Sequence, residues 1–276
     1  MGVIAGIDIG AASTKAVVTD ETGHVLGRAL LRTGADLDKA ARAALTGALE
    51  AAEVAPSQVV YTAATGYGRY QCQARDIQIT EITCHARGAF EMFPGTRTVI
   101  DVGAQNTRAI AVSPEGRVAK FKMSERCAAG AGRFLERVAK ALEVEVADLS
   151  GLAGRSTEAQ PISSICAVLA ESEIINLVTE GRRVEDIVMG ANHSIADRVV
   201  ALVRQVGATP PIAVTGGVSM NAATVKTFES RLGVAVHFSP DSPFAGALGA
   251  AVLGRVRLAR RREADAARAA AVGAAS

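Results

Sequence analysis

The chain has 276 residues, a formal net charge of +2 and 49% hydrophobic residues, which is enough to bury a sizeable core in one large domain or two medium ones. The balanced charge gives no indication of a nucleic-acid-binding surface, and no apolar run reaches the roughly 18 residues that a membrane-spanning helix needs. From the charge and the apolar runs we expect no nucleic-acid or membrane partners. The first residues, MGVIAGIDIG, lack the basic and apolar regions of a secretory signal, so we expect a cytoplasmic protein.

The first predicted elements form a β-hairpin followed by a third strand. Residues 3–30, VIAGIDIGAASTKAVVTDETGHVLGRAL, contain an apolar strand, a glycine-rich turn, a second strand and a turn at ETGH that leads to a third strand. Residues 37–53 carry apolar side chains at helical period, and VVYTAATGYG (59–68) predicts a strand that ends in a glycine-rich loop.

The same pattern begins again in residues 97–123, RTVIDVGAQNTRAIAVSPEGRVAKFKM. GIDIGAASTKAVV and VIDVGAQNTRAIAV share an apolar run with an Asp, a Gly, a small polar tip, a basic residue and a second apolar run. We predict helices near 130–146, 164–180 and 185–207, then a strand, a Gly-Gly turn and a helix at PIAVTGGVSMN, and a last helix from about Pro243. An internal repeat of this kind indicates an α/β fold of two similarly built lobes with a cleft between them.

Each repeat places an aspartate, Asp8 or Asp101, at the end of an apolar strand just before a glycine. A charge there is costly unless it is paired, and a hydrated Mg²⁺ ion, which favours one or two carboxylates plus waters and phosphate oxygens, would pair with it. One such tip alone is also what an ordinary glycine hairpin looks like. The chain contains no G-x-x-x-x-G-K-[ST] motif, so the sequence does not predict a P-loop.

Glycines and small polar residues around the tips suit phosphate binding. Glycine lets the backbone approach a ligand, successive N–H groups form an anion cradle, and hydroxyls and a lysine add donors and a point charge. A third glycine-rich turn, after a strand and before a helix, adds a helix N-terminus that favours negative charge. The candidate phosphate-binding residues are Gly10, Ser13, Thr14, Lys15, Gly103, Thr215, Gly216 and Gly217.

Three segments resemble motifs of the actin, hexokinase and heat-shock-ATPase superfamily: GIDIGAASTKAVV resembles its phosphate-one motif, VIDVGAQNTRAIAV its phosphate-two motif and VTGGVSMN its adenosine motif. The resemblance implies two ribonuclease-H-like lobes around Mg-ATP, which we place at residues 1–95 and 96–276. It implies that Asp8 and Asp101 lie near the metal and the attacking water. SPFAGALGAA is similar to the superfamily's last helix, which brings Gly246 close to the nucleotide and returns toward the first lobe. The Arg- and Ala-rich tail beyond it is expected to be a solvated helix that frays into a disordered end.

Cys127 and Cys166 each precede a helix-forming run, in CAAGAGRFLE and CAVLAESEIINLV. A thiolate near a helix N-terminus is stabilised by the helix dipole and by free N–H groups, and cysteine thiolates are the usual ligands of iron–sulfur clusters. Two ligands are too few for a [4Fe–4S] cluster, which needs four, so a twofold dimer would have to supply the other pair. The alternative from the residues alone is two buried thiols that pack as small hydrophobes.

CAAGAGRFLE and SSICAVLAESEIINLV, together with TGYGR and EITCHARGA, resemble the BadF/BadG/BcrA/BcrD-type ATPases, which drive 2-hydroxyacyl-CoA dehydratases and ATP-dependent benzoyl-CoA reductases. The similarity runs from Gly6 to about Gly254. It implies that Cys127 and Cys166 bind one [4Fe–4S] cluster shared across a dimer of homologous ATPase subunits. We expect reduced ferredoxin as the electron donor and a catalytic iron–sulfur dehydratase or reductase as the partner that receives the electron.

Within the family, the choice is between an ATPase subunit of benzoyl-CoA reductase and a homodimeric dehydratase activator. SSICAVLAESEIINLV and SPDSPFAGALGAAVLGR look closer to the reductase subunit, so we expect an ATPase coupled to electron transfer for ring dearomatisation. At the second tip, activators usually read Gly-Gly-Gln-Asp, whereas residues 103–106 here read Gly-Ala-Gln-Asn. The missing acid leaves Asp101 and Gln105, with Asp8, as the catalytic candidates.

Two other function classes stay open: a small-molecule kinase of the same superfamily, and a non-catalytic nucleotide-binding scaffold. The cysteine pair separates these classes from electron transfer, because a kinase has no use for it. Cys72 and Cys84 are expected to be structural thiols. His85 follows Cys84 directly, and we expect it to have a local structural role because the two side chains would point to opposite faces of a strand.

Overall fold

The structure is a computed structural model and describes residues 2–124, 132–162 and 167–274. Cys127 and Cys166, the two predicted cluster ligands, lie outside these residues. The chain forms two compact units, Met1–Gly88 with Gly246–Ser276, and Ala89–Ala245. This division gives the C-terminal segment to the first unit, whereas the lobe limits expected from the sequence counted that segment with the second lobe.

The first unit contains a five-stranded sheet in the order β3-β2-β1-β4-β5. Three antiparallel strands come first in the chain, and β4 then pairs with β1 in parallel. A parallel strand needs a crossover connection, which α1 supplies between β3 and β4. The strands are β1 (Val3–Ile9), β2 (Ser13–Thr19), β3 (Val25–Arg32), β4 (Val59–Thr65) and β5 (Ile77–Gln78).

Three helices belong to this unit: α1 (Leu37–Ala51), α2 (Glu81–Met92), which the limit at Gly88 divides between the units, and α8 (Ala245–Ala274). Asp36 caps α1 by accepting a hydrogen bond from the Lys39 N–H at 2.9 Å, a cap typical of helix N-termini. The alanine-rich face of α1 packs on the hairpin, and a core of small aliphatic side chains results. Small residues allow close helix–sheet packing in a chain with only 4% aromatic residues.

The second unit repeats the arrangement with a sheet in the order β10-β9-β6-β7-β8. Its first three strands are again antiparallel, and β9 pairs with β6 in parallel as β4 does with β1. The internal repeat predicted from the sequence is therefore confirmed at the level of strand order and direction. The strands are β6 (Thr98–Val102), β7 (Thr107–Val112), β8 (Val118–Met123), β9 (Ile212–Thr215) and β10 (Val236–His237).

The helices of the second unit build the larger core, around α6. This helix ends at Val206 and is capped by Gly207, whose φ of 69° is left-handed, close to the end of the helix predicted at 185–207. Aliphatic side chains of α3, α4, α6 and α7 and Phe134 and Phe228 form one cluster against the sheet. The described helices are α3 (Gly132–Ala141), α4 (Leu149–Ala153), α5 (Ala167–Thr179), α6 (Val184–Val206) and α7 (Ala222–Leu232).

Two helical predictions need correction. The helix expected near 130–146 ends at Ala141, because Glu143 takes a φ of 55° and the Val144 N–H bonds back to the Ala139 carbonyl at 3.0 Å. Residues 81–92, which carry the Cys–His pair interpreted as a strand, form α2 instead.

The last helix, α8, spans Ala245–Ala274, and its residues 261–269 are exposed, as expected for a solvated helix in the Arg- and Ala-rich tail. Within the described residues, no helix combines the length and apolar composition needed to cross a membrane.

Candidate functional site

The first predicted carboxylate lies near the end of β1, and only 5% of Asp8 is exposed. In the sheet, Asp8 stands opposite Lys15 on β2 and opposite Thr65 on β4. Lys15 Nζ lies 3.9 Å from Asp8 Oδ2, and His85 Nε2 of α2 lies 3.9 Å from the same oxygen. The Lys15 ammonium therefore pairs with the buried charge, and the His85 imidazole faces the same carboxylate oxygen.

Two glycines allow the backbone to lie directly against this carboxylate. Gly66 follows β4 with a φ of 91°, and a Cβ built on it would lie 2.5 Å from Asp8 Oδ1. Gly246, in the first turn of α8, would place a Cβ 2.9 Å from Asp8 Oδ2 and 2.8 Å from His85 Nε2. Any larger residue at these positions would have to displace the carboxylate, since real Cβ atoms do not approach so closely.

The first hairpin tip is a short turn closed by backbone hydrogen bonds. The Gly10 N–H donates to the Ser13 carbonyl at 3.2 Å, and Lys15 Nζ donates to the same carbonyl at 3.3 Å. Thr33 Oγ1 donates to the Gly10 carbonyl at 2.7 Å and lies 3.0 Å from the buried Thr14 Oγ1. The residue that follows β3 thus fixes the tip, and the Thr14 hydroxyl takes part in that interior contact.

The second predicted carboxylate, Asp101, lies at the equivalent place on β6 and is 1% exposed. It stands opposite Arg108 on β7 and Thr215 on β9. Arg108 Nη1 lies 2.6 Å from Asp101 Oδ2, a charge-assisted hydrogen bond in a buried setting. Gly216 follows β9 with a φ of 84°, and its Cβ would lie 2.6 Å from Asp101 Oδ1. The second unit therefore reproduces the glycine-enclosed carboxylate of the first.

The second hairpin tip has the same closing bond and an additional contact. The Gly103 N–H donates to the Asn106 carbonyl at 3.0 Å. The first two residues of α3 bond to this tip, because the Gly132 N–H donates to the Gly103 carbonyl at 2.8 Å and the Arg133 N–H donates to the Ala104 carbonyl at 3.0 Å. The start of α3 is therefore fixed to the predicted phosphate-two tip.

The third glycine-rich segment links β9 to α7 through a short 3₁₀ turn, Gly217–Met220. Ser219 Oγ donates to the Gly216 carbonyl at 2.7 Å and fixes the turn. The side chain of Asn221 accepts a hydrogen bond from the Thr224 N–H at 3.1 Å and caps α7. No atom lies within 4 Å of the Cβ position of Gly217, so open space borders this glycine.

The predicted site residues form one group in each unit. Asp8, Gly10, Ser13, Thr14, Lys15 and Gly246 belong to the first unit, and Asp101, Gly103, Gln105, Thr215, Gly216 and Gly217 belong to the second. Among the described residues, no three His, Cys, Asp or Glu side chains come together as a metal cage. A Mg²⁺ ion that keeps its waters and binds phosphate needs no such cage.

Two further residues lie beside the predicted carboxylates but are not among the site residues predicted from the sequence. His85 is expected there to have only a local structural role, although its imidazole faces Asp8. Arg108 enters only as the basic residue of the repeat. The signal for Arg108 is its alignment with Lys15 in the two repeats, and the signal for His85 is the helix start at Thr80, whose Oγ1 accepts from the Thr83 N–H at 3.3 Å.

The two described cysteines lie in the interior of the first unit. Burial raises the pKa of the Cys84 thiol to about 12 and also raises the pKa of Cys72. Thiols with raised pKa values stay protonated at neutral pH and are poor metal ligands.

Comparison with known proteins agrees with the motif analysis. Residues 5–254 match the BadF/BadG/BcrA/BcrD ATPase family. The chain is 38% identical over 248 residues to the (R)-2-hydroxyglutaryl-CoA dehydratase activating ATPase of Acidaminococcus fermentans, covering 90% of this chain and 95% of that protein. It is 36% identical over 267 residues to a benzoyl-CoA reductase polypeptide of Thauera aromatica, one subunit of that enzyme, covering 93% and 94%.

Solved structures give the same result. Component A of (R)-2-hydroxyglutaryl-CoA dehydratase from A. fermentans superposes with a TM-score of 0.90 at 36% identity and covers 94% of this chain and 100% of that one. The activator of 2-hydroxyisocaproyl-CoA dehydratase from Clostridium difficile, with bound ADPNP, superposes at 0.89 with 32% identity, covering 95% and 97%. A glucokinase from Streptomyces griseus, at 0.57 and 17% identity over 92% of this chain and 99% of that one, shares the fold.

Proposed function

Since the chain belongs to the BadF/BadG/BcrA/BcrD ATPase family, we propose that it is an ATP-driven activator that delivers single electrons to a 2-hydroxyacyl-CoA dehydratase. The observation that carries the proposal is the pair of buried, glycine-enclosed carboxylates, Asp8 and Asp101, each at the end of a strand beside a hairpin tip. Three of the curated relatives, at 36% to 38% identity, carry the name of a dehydratase activator or activating ATPase.

The residues of the first unit suit a magnesium nucleotide. Asp8 offers a carboxylate to a hydrated Mg²⁺ ion, which needs only one or two such ligands, and the backbone of Gly66 and Gly246 packs directly against this carboxylate. Lys15 and the backbone N–H groups of the tip attract phosphate oxygens. The bound nucleotide supplies the phosphoryl bond whose hydrolysis releases free energy.

To the second unit we assign the residues that orient water and accept the rest of the nucleotide. Gln105 lies on the tip that Gly103 and Asn106 close, and we assign it the orientation of the attacking water, with Asp101 behind it. The chain leaves β9 at Thr215 and enters the turn toward α7 through Gly216 and Gly217. The two glycines let a ligand approach the backbone closely there.

Electron delivery is assigned to Cys127 and Cys166, which lie outside the described residues. In the proposal they bind a [4Fe–4S] cluster together with the same pair from a second, homologous subunit, because such a cluster needs four thiolates. This cluster supplies a one-electron carrier between reduced ferredoxin and the dehydratase.

The contact between the second tip and α3 supports coupling of the two activities. Gly132 and Arg133 donate their N–H groups to carbonyls of the tip, and α3 begins five residues after Cys127 in the chain. In the proposal, hydrolysis changes the position of the tip, and the backbone hydrogen bonds transmit this displacement to α3. A conformational switch of this kind needs only a small movement at the nucleotide.

An anaerobic iron assay tests the proposal. The wild-type protein should be brown and contain about four irons per two chains. Cys127→Ser should lose iron and electron delivery to an added dehydratase, while ATP still raises its melting temperature. Cys72→Ala is the matched control, since it removes a buried thiol that the proposal does not use, and it should keep its iron. A colourless wild-type protein, or a Cys127→Ser variant that delivers electrons normally, would contradict the proposal.

A second candidate is an ATPase subunit of a benzoyl-CoA reductase, the function that the sequence motifs favour. The similarity to the Thauera aromatica reductase polypeptide supports it, because the identity is almost that of the activators and the coverage is as high. The two candidates differ in partner: electron delivery to a dehydratase component by the chain alone supports the activator. Activity only after co-expression with a different ATPase subunit supports the reductase.

A further inference from the structure

His85 is a buried histidine that the proposed function does not use. It lies on α2, next to the structural Cys84. Only 4% of the residue is exposed. A buried polar side chain needs polar neighbours, and one of the neighbours of this imidazole is a carboxylate of the proposed site.

The imidazole faces the carboxylate of Asp8. His85 Nε2 lies 3.9 Å from Asp8 Oδ2, the oxygen that also lies 3.9 Å from Lys15 Nζ. This separation exceeds a direct hydrogen bond, and a polar contact of such length is commonly bridged by one water. One oxygen of Asp8 therefore lies 3.9 Å from a side-chain nitrogen of α2 and from another of β2.

Gly246 shows that this arrangement is tightly defined. A Cβ at this position would lie 2.8 Å from His85 Nε2 and 2.9 Å from Asp8 Oδ2. The backbone of α8 thus lies against both partners at once and limits where each can move. The other carboxylate oxygen, Oδ1, lies beside Gly66.

We propose that His85 is a positioning residue that fixes the Asp8 carboxylate for a hydrated Mg²⁺ ion of the nucleotide. The inference rests on the proposed nucleotide site and extends it to α2. His85 Nε2 and Lys15 Nζ both lie 3.9 Å from Oδ2, and in the proposal these two nitrogens limit the orientations that the carboxylate can present to the metal. Removal of a group that orients a metal-binding carboxylate typically changes metal affinity or activity by roughly 10- to 100-fold.

Calorimetric titration with ADP, once with Mg²⁺ and once with EDTA, tests the role without relying on turnover. His85→Ala should weaken Mg²⁺-ADP binding about 10- to 100-fold and leave binding in EDTA almost unchanged. His85→Gln should recover most of the affinity, because the glutamine amide nitrogen can take the place of Nε2. A structural histidine would not change the effect of Mg²⁺ on binding.

A double-mutant cycle identifies the partner. If His85 acts through Asp8, the double variant His85→Ala, Asp8→Asn should bind Mg²⁺-ADP no more weakly than Asp8→Asn alone, since residues in one network are not additive. Cys84→Ala is the matched control: it truncates the adjacent buried side chain of α2 and should lower stability while the Mg²⁺ effect stays intact.

The outcomes separate this inference from the function on which it rests. Equal Mg²⁺ effects in wild type and His85→Ala, or additive losses in the cycle, would overturn the role of His85 and leave the proposed activator unaffected. A wild-type protein that binds no ADP with or without Mg²⁺ would overturn both.

Discussion

The two hairpins of the internal repeat hold their carboxylates at the same ladder position but at different distances. Asp8 lies 3.9 Å from Lys15 across the first hairpin, whereas Asp101 lies 2.6 Å from Arg108 across the second. His85 adds a second basic neighbour to Asp8. The first carboxylate therefore has two looser partners, and the second has a short, direct ion pair.

The difference follows from the chemistry of the two basic residues. A guanidinium is planar, always charged and able to hold a carboxylate in a fixed geometry, whereas an ammonium is a flexible point charge that is strongly hydrated. Asp101 is thus paired directly within the protein, whereas Asp8 has no partner at hydrogen-bond distance among its two basic neighbours. Under the proposed function, this difference favours Asp8 over Asp101 as the carboxylate that faces the metal ion.

The largest expected effect tests this division directly. Arg108→Met leaves the Asp101 charge buried without its ion pair and should cost about 3–5 kcal/mol of unfolding free energy, measured by urea denaturation. Lys15→Met should lower the free energy of unfolding by clearly less, because His85 still faces Asp8. Its ATP turnover should nevertheless fall by more than the loss of folded protein explains. Similar stability losses in the two variants would remove the distinction between the hairpins.

The glycines after the parallel strands provide the next test. Gly66→Ala and Gly216→Ala combine a positive φ with a Cβ only 2.5 or 2.6 Å from a carboxylate oxygen. Gly34 and Gly233 also have positive φ values but no atom within 4 Å of the Cβ position, so alanine there should cost only the backbone term of about 1–2 kcal/mol.

The site glycines should exceed these controls by about 1–3 kcal/mol, the usual cost of overpacking. Thermal unfolding of the four variants measures the difference. If Gly66→Ala matched Gly34→Ala, the close enclosure of Asp8 would be wrong. Gly216→Ala should exceed Gly233→Ala for a second reason as well, because the ψ of Gly216 is 176° and that of Gly233 is 18°.

The smallest expected effect concerns the far turns of the two hairpins. Asp20 Oδ1 accepts hydrogen bonds from Thr22 Oγ1 at 2.6 Å and from the N–H groups of Thr22, Gly23 and His24. The Thr22 hydroxyl and these backbone donors hold the pKa of Asp20 well below its usual value. A lowered folded-state pKa contributes stability above the ordinary value of about 3.9 and loses it as pH falls toward the folded value.

Asp20→Asn should therefore lower the melting temperature at pH 7, and the difference from wild type should shrink below about pH 4. Ser113 holds the same place in the second hairpin and lowers the pKa of Glu115 through a 2.7 Å hydrogen bond. Ser113→Ala should show the same direction with a smaller change, because one donor replaces four. A larger pH dependence for Ser113→Ala would reverse the comparison.

Much of this architecture could be predicted from the sequence, because the spacing of apolar residues indicates the strands and the helices of the repeat. The repeated strand–turn–strand segments, the two strand-end aspartates and α6 follow from apolar runs and glycine turns. The helix α2 is not predicted when CHARGA is interpreted as a strand, although Thr80 and Glu81 give a helix start. Those two residues are the signal that could place His85 on the same side as Asp8.

Other features depend on distances that a sequence does not specify. Lys15 and Arg108 are both basic residues at matching positions, and only the structure shows one at 3.9 Å and the other at 2.6 Å from its aspartate. The early end of α3 at Ala141 depends on a positive φ at Glu143. Glutamate rarely adopts a positive φ, so the sequence gives no turn motif that predicts this end.

The first unit is assembled from both ends of the chain, and this has a consequence for its synthesis. Gly246 of α8 completes the surroundings of Asp8, yet it leaves the ribosome long after β1. The second unit, which is continuous in sequence, can fold while the first still waits for its last helix. A polypeptide released before α8 would carry every strand of the first sheet and still lack the Gly246 backbone that lies against Asp8 and His85.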